Sequence, residues 1–255
     1  MIAAAAAVRI LSAGALGVMS GLLGGLFGIG GGVIAIPLLG LLYGLHQQIA
    51  QGTVLVMVVP NVLFGFWNYR RRVGADLRIA AALALPATVS TYPAAELATR
   101  LDPYALRLAF AAFLAILALI VAYRTWRGAV PSLLRVPLHW RWTVLVGLAG
   151  GIVSGLFGVG GAFIVPPALT AFFGIRQIEA QGLGLALVSP VTLVALFTYA
   201  RAGEVAWELG IPLAIGGFAA IPAGIAAAHR LPERQLRLAF CGLLFVTAVL
   251  LALHG

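Results

Sequence analysis

Apolar residues run along this chain in long blocks separated by short polar or basic stretches. The blocks fall at about 10–44, 47–70, 77–99, 103–125, 141–174, 177–200, 206–229 and 232–253, and most have the ~20-residue length of a membrane crossing. They are rich in Leu, Ala and Val and lack period-two alternation, so the pattern predicts helices and not a β-barrel. The first and fifth blocks are too long for one crossing. A helix of about 35 residues would reach roughly 50 Å, against a hydrocarbon core of ~30 Å. Both blocks carry a glycine cluster followed by a proline, which predicts a broken helix or a re-entrant hairpin.

The pattern also repeats. Shifting the chain by 130 residues aligns the two long blocks without a gap. Gly17, Gly21 and Gly25 fall on Gly147, Gly151 and Gly155, and Leu26-Phe27-Gly28 falls on Leu156-Phe157-Gly158. Gly30-Gly31, Pro37, Ala50-Gln51-Gly52 and Pro60 meet Gly160-Gly161, Pro167, Ala180-Gln181-Gly182 and Pro190. The match returns at Leu106 to Phe110 against Leu236 to Phe240. Two homologous membrane halves are the usual plan of a secondary transporter. The expected organisation is a first transmembrane repeat over 1–127, a basic Pro-containing linker over 128–140 and a second repeat over 141–255.

The expected fold is therefore an all-α polytopic membrane protein. Each half holds a long glycine-broken helix or re-entrant hairpin plus three transmembrane helices. Hairpins would make the halves inverted; single crossings would make them parallel. Inverted halves put 12 arginines on the cytoplasmic side and 4 outside, parallel halves 10 and 6. The positive-inside bias favours inverted repeats.

Composition agrees. Hydrophobic types make up 62% of the 255 residues and charged types 9%, where a soluble domain carries about 25% charged residues. The net charge is +9, and every Lys/Arg-type charge is arginine, since the chain has no lysine. The arginines sit at block ends, where they set topology and meet headgroups, so no nucleic acid partner is expected. The single cysteine, Cys241, cannot form a disulfide within the chain. Met1 to Val8 lacks a basic stretch before the apolar pattern, so no cleaved signal peptide is expected.

Candidate chemistry begins with the glycine clusters. Glycine lets a chain leave helical geometry and lets a ligand approach the backbone. Helix ends exposed by a break offer N–H donors and a dipole suited to an anion. Gly28, Gly30 and Gly31, with Gly158, Gly160 and Gly161, are the candidate backbone contacts. Gly17, Gly21 and Gly25 form a small-residue ladder and read as helix packing. Gln51 and Gln181 open the helices after the breaks, where an amide donates without the cost of a buried charge. Thr53 stands beside Gln51. Asn61, Ser189 and Thr192 cluster at Pro60 and Pro190, where proline frees a carbonyl and kinks the helix. Each of these has a bland reading as well, as interhelical hydrogen bonding or a self-satisfied kink.

No Asp or Glu lies at mid-block, which disfavours a cation substrate. Arg107 and Arg237, one turn into equivalent helices, read as snorkelling to headgroups or as an anion-attracting vestibule. The histidines show no metal-ligand or nucleophile–base spacing. No enzyme activity, cofactor or metal is expected.

Gly25 to Pro37 and Gly155 to Pro167 resemble the paired motif of the TauE/SafE family of sulfite-exporter-type permeases. The stretches Ala50-Gln51-Gly52-Thr53 and Ala180-Gln181-Gly182 fit the start of that family's next helix. The resemblance covers nearly the whole chain and implies a multi-pass permease of the bacterial inner membrane. Its implied substrate is a small anion, sulfite or an organosulfonate such as sulfoacetate. This chain departs where Leu183 stands opposite Thr53. The expected mechanism is alternating access around a midplane site between the two breaks. An anion channel, or a transporter of another small anion or metabolite, is the alternative. Membrane lipids are expected partners, while a coupled proton or other ion and a homodimer are left open.

Overall fold

The computed structural model describes residues 2–27, 30–72, 77–127, 139–161, 164–175, 177–228, 230–231 and 233–253. Gly28 and most of the linker, 128–138, therefore lie outside the described residues. The described chain is helical and contains no strand. Among the described residues ten α-helices follow in order: α1 Ile2–Phe27, α2 Gly32–Tyr43, α3 Gln47–Arg72, α4 Leu77–Arg100 and α5 Pro103–Arg127. The second series is α6 Thr143–Phe157, α7 Val165–Phe173, α8 Gln177–Arg201, α9 Trp207–Ala228 and α10 Glu233–Leu253. Within the described residues, five stretches are long and apolar enough to cross a membrane: Ala7–Phe27, Gln47–Trp67, Pro103–Tyr123, Glu179–Arg201 and Trp207–Ala227. Shorter apolar helices accompany them, and the chain is a polytopic membrane protein.

Both long blocks break at the expected glycines. Between α1 and α2 the chain passes through Gly30 (φ 71°) and Gly31 (φ 82°); between α6 and α7 it passes through Gly160 (φ 75°) and Gly161 (φ 57°). Consecutive residues with positive φ suit glycine alone without strain. The breaks turn the chain back on itself. Gly31 lies against the carbonyl of Ser20, and Gly161 against the carbonyl of Gly150, each well upstream of the end of its own helix. Beyond the first turn, α2 touches α10 as well as α1.

The contacts gather into two compact units. The first comprises Met1–Val58, Leu101–Ala129 and Glu204–Gly255, and the second Val59–Arg100 and Val130–Gly203. Each unit draws on both sequence repeats. In the first, α1 packs along α9; in the second, α6 packs along α4. The glycine ladder makes both contacts. A Cβ at Gly17, Gly21 or Gly25 would strike the backbone of Leu213, Gly217 or Ile221. A Cβ at Gly147, Gly151 or Gly155 would strike that of Leu83, Ala87 or Thr91. The two sets correspond position by position under the 130-residue shift. The first helix of each repeat thus docks on the fourth helix of the other repeat by backbone approach, which in lipid replaces the hydrophobic drive that water supplies. In the second unit hydroxyls add to the seam: Ser90 donates to the Leu148 carbonyl (3.1 Å) and Thr91 to that of Gly151 (3.1 Å). In the first unit α5 packs on α10, and Phe27 meets Phe240 with ring centroids 5.3 Å apart.

Candidate functional site

In the first unit the break lies between α1 and α2, with the Met57 side chain of α3 against Gly31. Gly31 precedes α2 with no side-chain cap. The first intrahelical bond of α2 is donated by Ala35 to the Gly31 carbonyl (3.3 Å). The N–H groups of Gly32, Val33 and Ile34 therefore precede the helix's own bonding, and all three residues are buried. Ser20, whose carbonyl borders Gly31, is fully buried and its hydroxyl has no hydrogen-bond partner among the described residues. A buried donor left this way costs about 1–3 kcal/mol, which a ligand oxygen would recover.

Gln51 is fully buried on α3. Its neighbours serve the frame: Gly52 lies against the Glu204 carbonyl, and the fully buried Thr53 accepts the Ala206 N–H at 2.9 Å. Thr53 Oγ1 thus serves the backbone that leads into α9. Burial pushes the Glu204 carboxyl up, with His46 opposing the shift. Gln48 donates to the Leu101 carbonyl (2.8 Å).

In the second unit Gly158 ends α6, its N–H bonded to the Ser154 carbonyl (2.9 Å). A Cβ on Gly160 would meet Val188 and, at 3.2 Å, Thr192 Cγ2, so the break lies directly on α8. Among the described residues the backbone here offers fewer donors than in the first unit. The N–H groups of Ile164 and Val165 both reach the Gly161 carbonyl (3.2 and 3.4 Å), and Pro166 and Pro167 have no N–H to give. Two of the expected side chains also spend their protons locally. Ser189 donates to the Leu185 carbonyl (2.8 Å) and Thr192 to that of Val188 (2.9 Å). The donors left over are the Ser154 hydroxyl, fully buried, and the Asn61 amide, 5% exposed; neither has a partner among the described residues.

The structure thus brings Gly160 and Thr192 together and places Gly31 beside Ser20. Gln51 and Gln181 stand in different surroundings, since Gln181 is exposed. Sequence reasoning passed over Ser20 and Ser154. Under the 130-residue shift Ser20 meets Gly150 and Ser154 meets Gly24, so neither scores as an identity. Their signal was a hydroxyl inside a run of glycines one or two turns before each break. Tyr199, near the end of α8, is fully buried, its hydroxyl donating to the carbonyls of Gly155 (3.2 Å) and Leu156 (3.3 Å) at the end of α6. Among the described residues every buried polar side chain is neutral, and no group of His, Cys, Asp and Glu could hold a metal ion.

Comparison with known proteins adds the family context. Residues 13–251 match the family model described as sulfite exporter TauE/SafE. A probable membrane transporter protein of Xylella fastidiosa (strain Temecula1) is 30% identical over 231 residues, covering 88% of this chain and 85% of that one. A probable membrane transporter protein of Methanocaldococcus jannaschii is 24% identical over 255 residues, covering 93% of each. The probable membrane transporter protein YjnA of Bacillus subtilis is 24% identical over 249 residues, covering 92% of this chain and 96% of that one.

Proposed function

Because this chain belongs to the TauE/SafE family of membrane transporters, we propose that it moves a small oxyanion, sulfite or an organosulfonate such as sulfoacetate, across a bacterial inner membrane by alternating access. The observation that carries this reading is the chemistry of the buried groups. Among the described residues they include hydroxyls, amides and helix-end N–H groups but no carboxylate and no arginine. A buried cation would demand an acid, whereas an oxyanion needs neutral donors.

The first break is the stronger holder. The N–H groups of Gly32, Val33 and Ile34 and the hydroxyl of Ser20 would meet the oxygens, with the positive end of the α2 dipole behind them. Gly30 and Gly31 admit the ligand to the backbone, and Gln51 supplies an amide. In the second unit Gly158, Gly160 and Gly161 shape the break, and Asn61 and Ser154 supply protons. Ser189 and Thr192 offer lone pairs until they turn away from their own helix. The reversal of chain direction at each break supports three crossings per repeat, and with the arginine bias it supports inverted halves.

The test is uptake and counterflow in proteoliposomes with sulfite, sulfate, sulfoacetate and a small carboxylate. Saturable uptake with exchange of sulfite or sulfoacetate is expected. Flux linear in gradient, without exchange, would indicate a channel, and transport of the carboxylate alone would reject the sulfur oxyanion.

A further inference from the structure

The first unit also holds a basic feature, at the end of α2 away from its glycine break. A half-open cavity of about 670 Å³ lies where the end of α2, the starts of α3 and α5 and the end of α10 meet. Arg107 lines it, half-buried, with its guanidinium carbon 5.3 Å from the centroid of the Tyr104 ring. Stacking on an aromatic face holds the guanidinium fork in place. His46 lines it from the start of α3, whose first intrahelical bond runs from Ala50 to the His46 carbonyl (2.9 Å). The positive end of the α3 dipole therefore opens beside the cavity. Among the described residues no carboxylate lines it. Gln47 adds an amide to the lining, and Ile36, Leu250 and Leu251 are among its apolar residues.

We propose that this cavity binds the phosphate headgroup of an anionic phospholipid, with the first part of the acyl region against the apolar wall. Three observations select this occupant over a small free anion. The spans Gln47–Trp67 and Pro103–Tyr123 both begin here, so the cavity stands at headgroup depth. Its volume would hold roughly twenty waters, far more than one small oxyanion needs. Its lining sets an apolar side, Leu41, Leu45, Leu250 and Leu251, beside the basic one, which suits a headgroup joined to lipid methylenes. Arg107 supplies a bidentate fork to phosphate oxygens.

The experiment uses the full chain in nanodiscs of phosphatidylcholine containing a minor share of phosphatidylglycerol. Phosphatidylglycerol retained after transfer to detergent is counted by native mass spectrometry. The wild type is expected to keep it. Arg107→Gln is expected to lower retention about fivefold or more, and Arg107→Lys to lower it less. Arg201→Gln, outside the cavity, is expected to leave it unchanged. Gly40→Leu is expected to displace the lipid by filling the cavity without altering any charge, and stands in for Arg107→Gln should that variant fail to fold. Equal retention in the wild type and the folded cavity variants overturns the proposal. So does release of the lipid by millimolar sulfite or inorganic phosphate, which would make this a small-anion site.

Discussion

The hydroxyl of Tyr199 donates to the carbonyl of Gly155 at 3.2 Å and closes the end of α6 from within the second unit. The last carbonyls of a helix lack intrahelical partners, and inside a membrane water does not replace them. Tyr199→Phe removes the donor and keeps the ring. We expect it to lower stability by about 1 kcal/mol, seen as an earlier thermal unfolding transition in detergent with the helical content of the folded protein unchanged.

Side chains placed in the ladder should separate the helices it joins. Gly21→Val meets the backbone of Gly217, and Gly151→Val meets that of Ala87. Neither backbone can move aside without unpacking the seam, so both variants are expected to lose folded yield severely. Gly242, in α10, has nothing within 4 Å of an added Cβ. Gly242→Ala should be neutral or stabilising by up to about 1 kcal/mol, the difference in helix propensity. Size-exclusion profiles and thermal unfolding of the three variants check this together.

The sequence shows why the ladder was legible and the donors were not. Gly17, Gly21 and Gly25 repeat at helical spacing and recur 130 residues later, so packing could be read from pattern alone. The break at Gly30-Gly31 was equally legible, because glycine pairs before a proline in an over-long block leave few alternatives. The partner of each ladder was not legible. Leu213 and Leu83 meet it through main-chain atoms, which leave no side-chain signature. The fate of a hydroxyl was also hidden. Thr192 and Ser154 look alike in sequence, yet one bonds its own helix and the other has no partner among the described residues. That difference depends on rotamers, and rotamers depend on neighbours.

Exchange of partners between the repeats has a consequence for a divided chain. Since α1 needs α9 and α6 needs α4, neither repeat can cover its own ladder. Cutting the chain between Arg127 and His139 and co-expressing the pieces should give a stable, co-purifying pair. Each piece expressed alone should be degraded or aggregate. A pull-down with a tag on one piece reads the outcome; a stable, monodisperse single piece would contradict the packing described.

Glu204 provides a pH-dependent signature. Burial raises its carboxyl pKa above the ordinary value. A group raised on folding contributes stability below its unfolded pKa and loses it as pH rises through the folded value. Charged Glu204 is therefore a burden at neutral pH. Glu204→Gln should raise the thermal transition at pH 7–8 and leave it nearly unchanged near pH 4. Unfolding scans across pH check the sign.

Oxyanion binding at the first break would centre on Ser20 and the N–H groups of Gly32, Val33 and Ile34. The direct measurement is sulfite counterflow in proteoliposomes for the wild type, Ser20→Ala and Ser12→Ala, the last a hydroxyl on the same helix that bonds Tyr43 at 2.6 Å. A hydrogen bond to a charged group contributes about 1.5–3 kcal/mol. Ser20→Ala should therefore raise the half-saturating sulfite concentration on the order of tenfold or more, while Ser12→Ala leaves it unchanged. Wild-type affinity in folded Ser20→Ala protein would contradict an oxyanion held at this break.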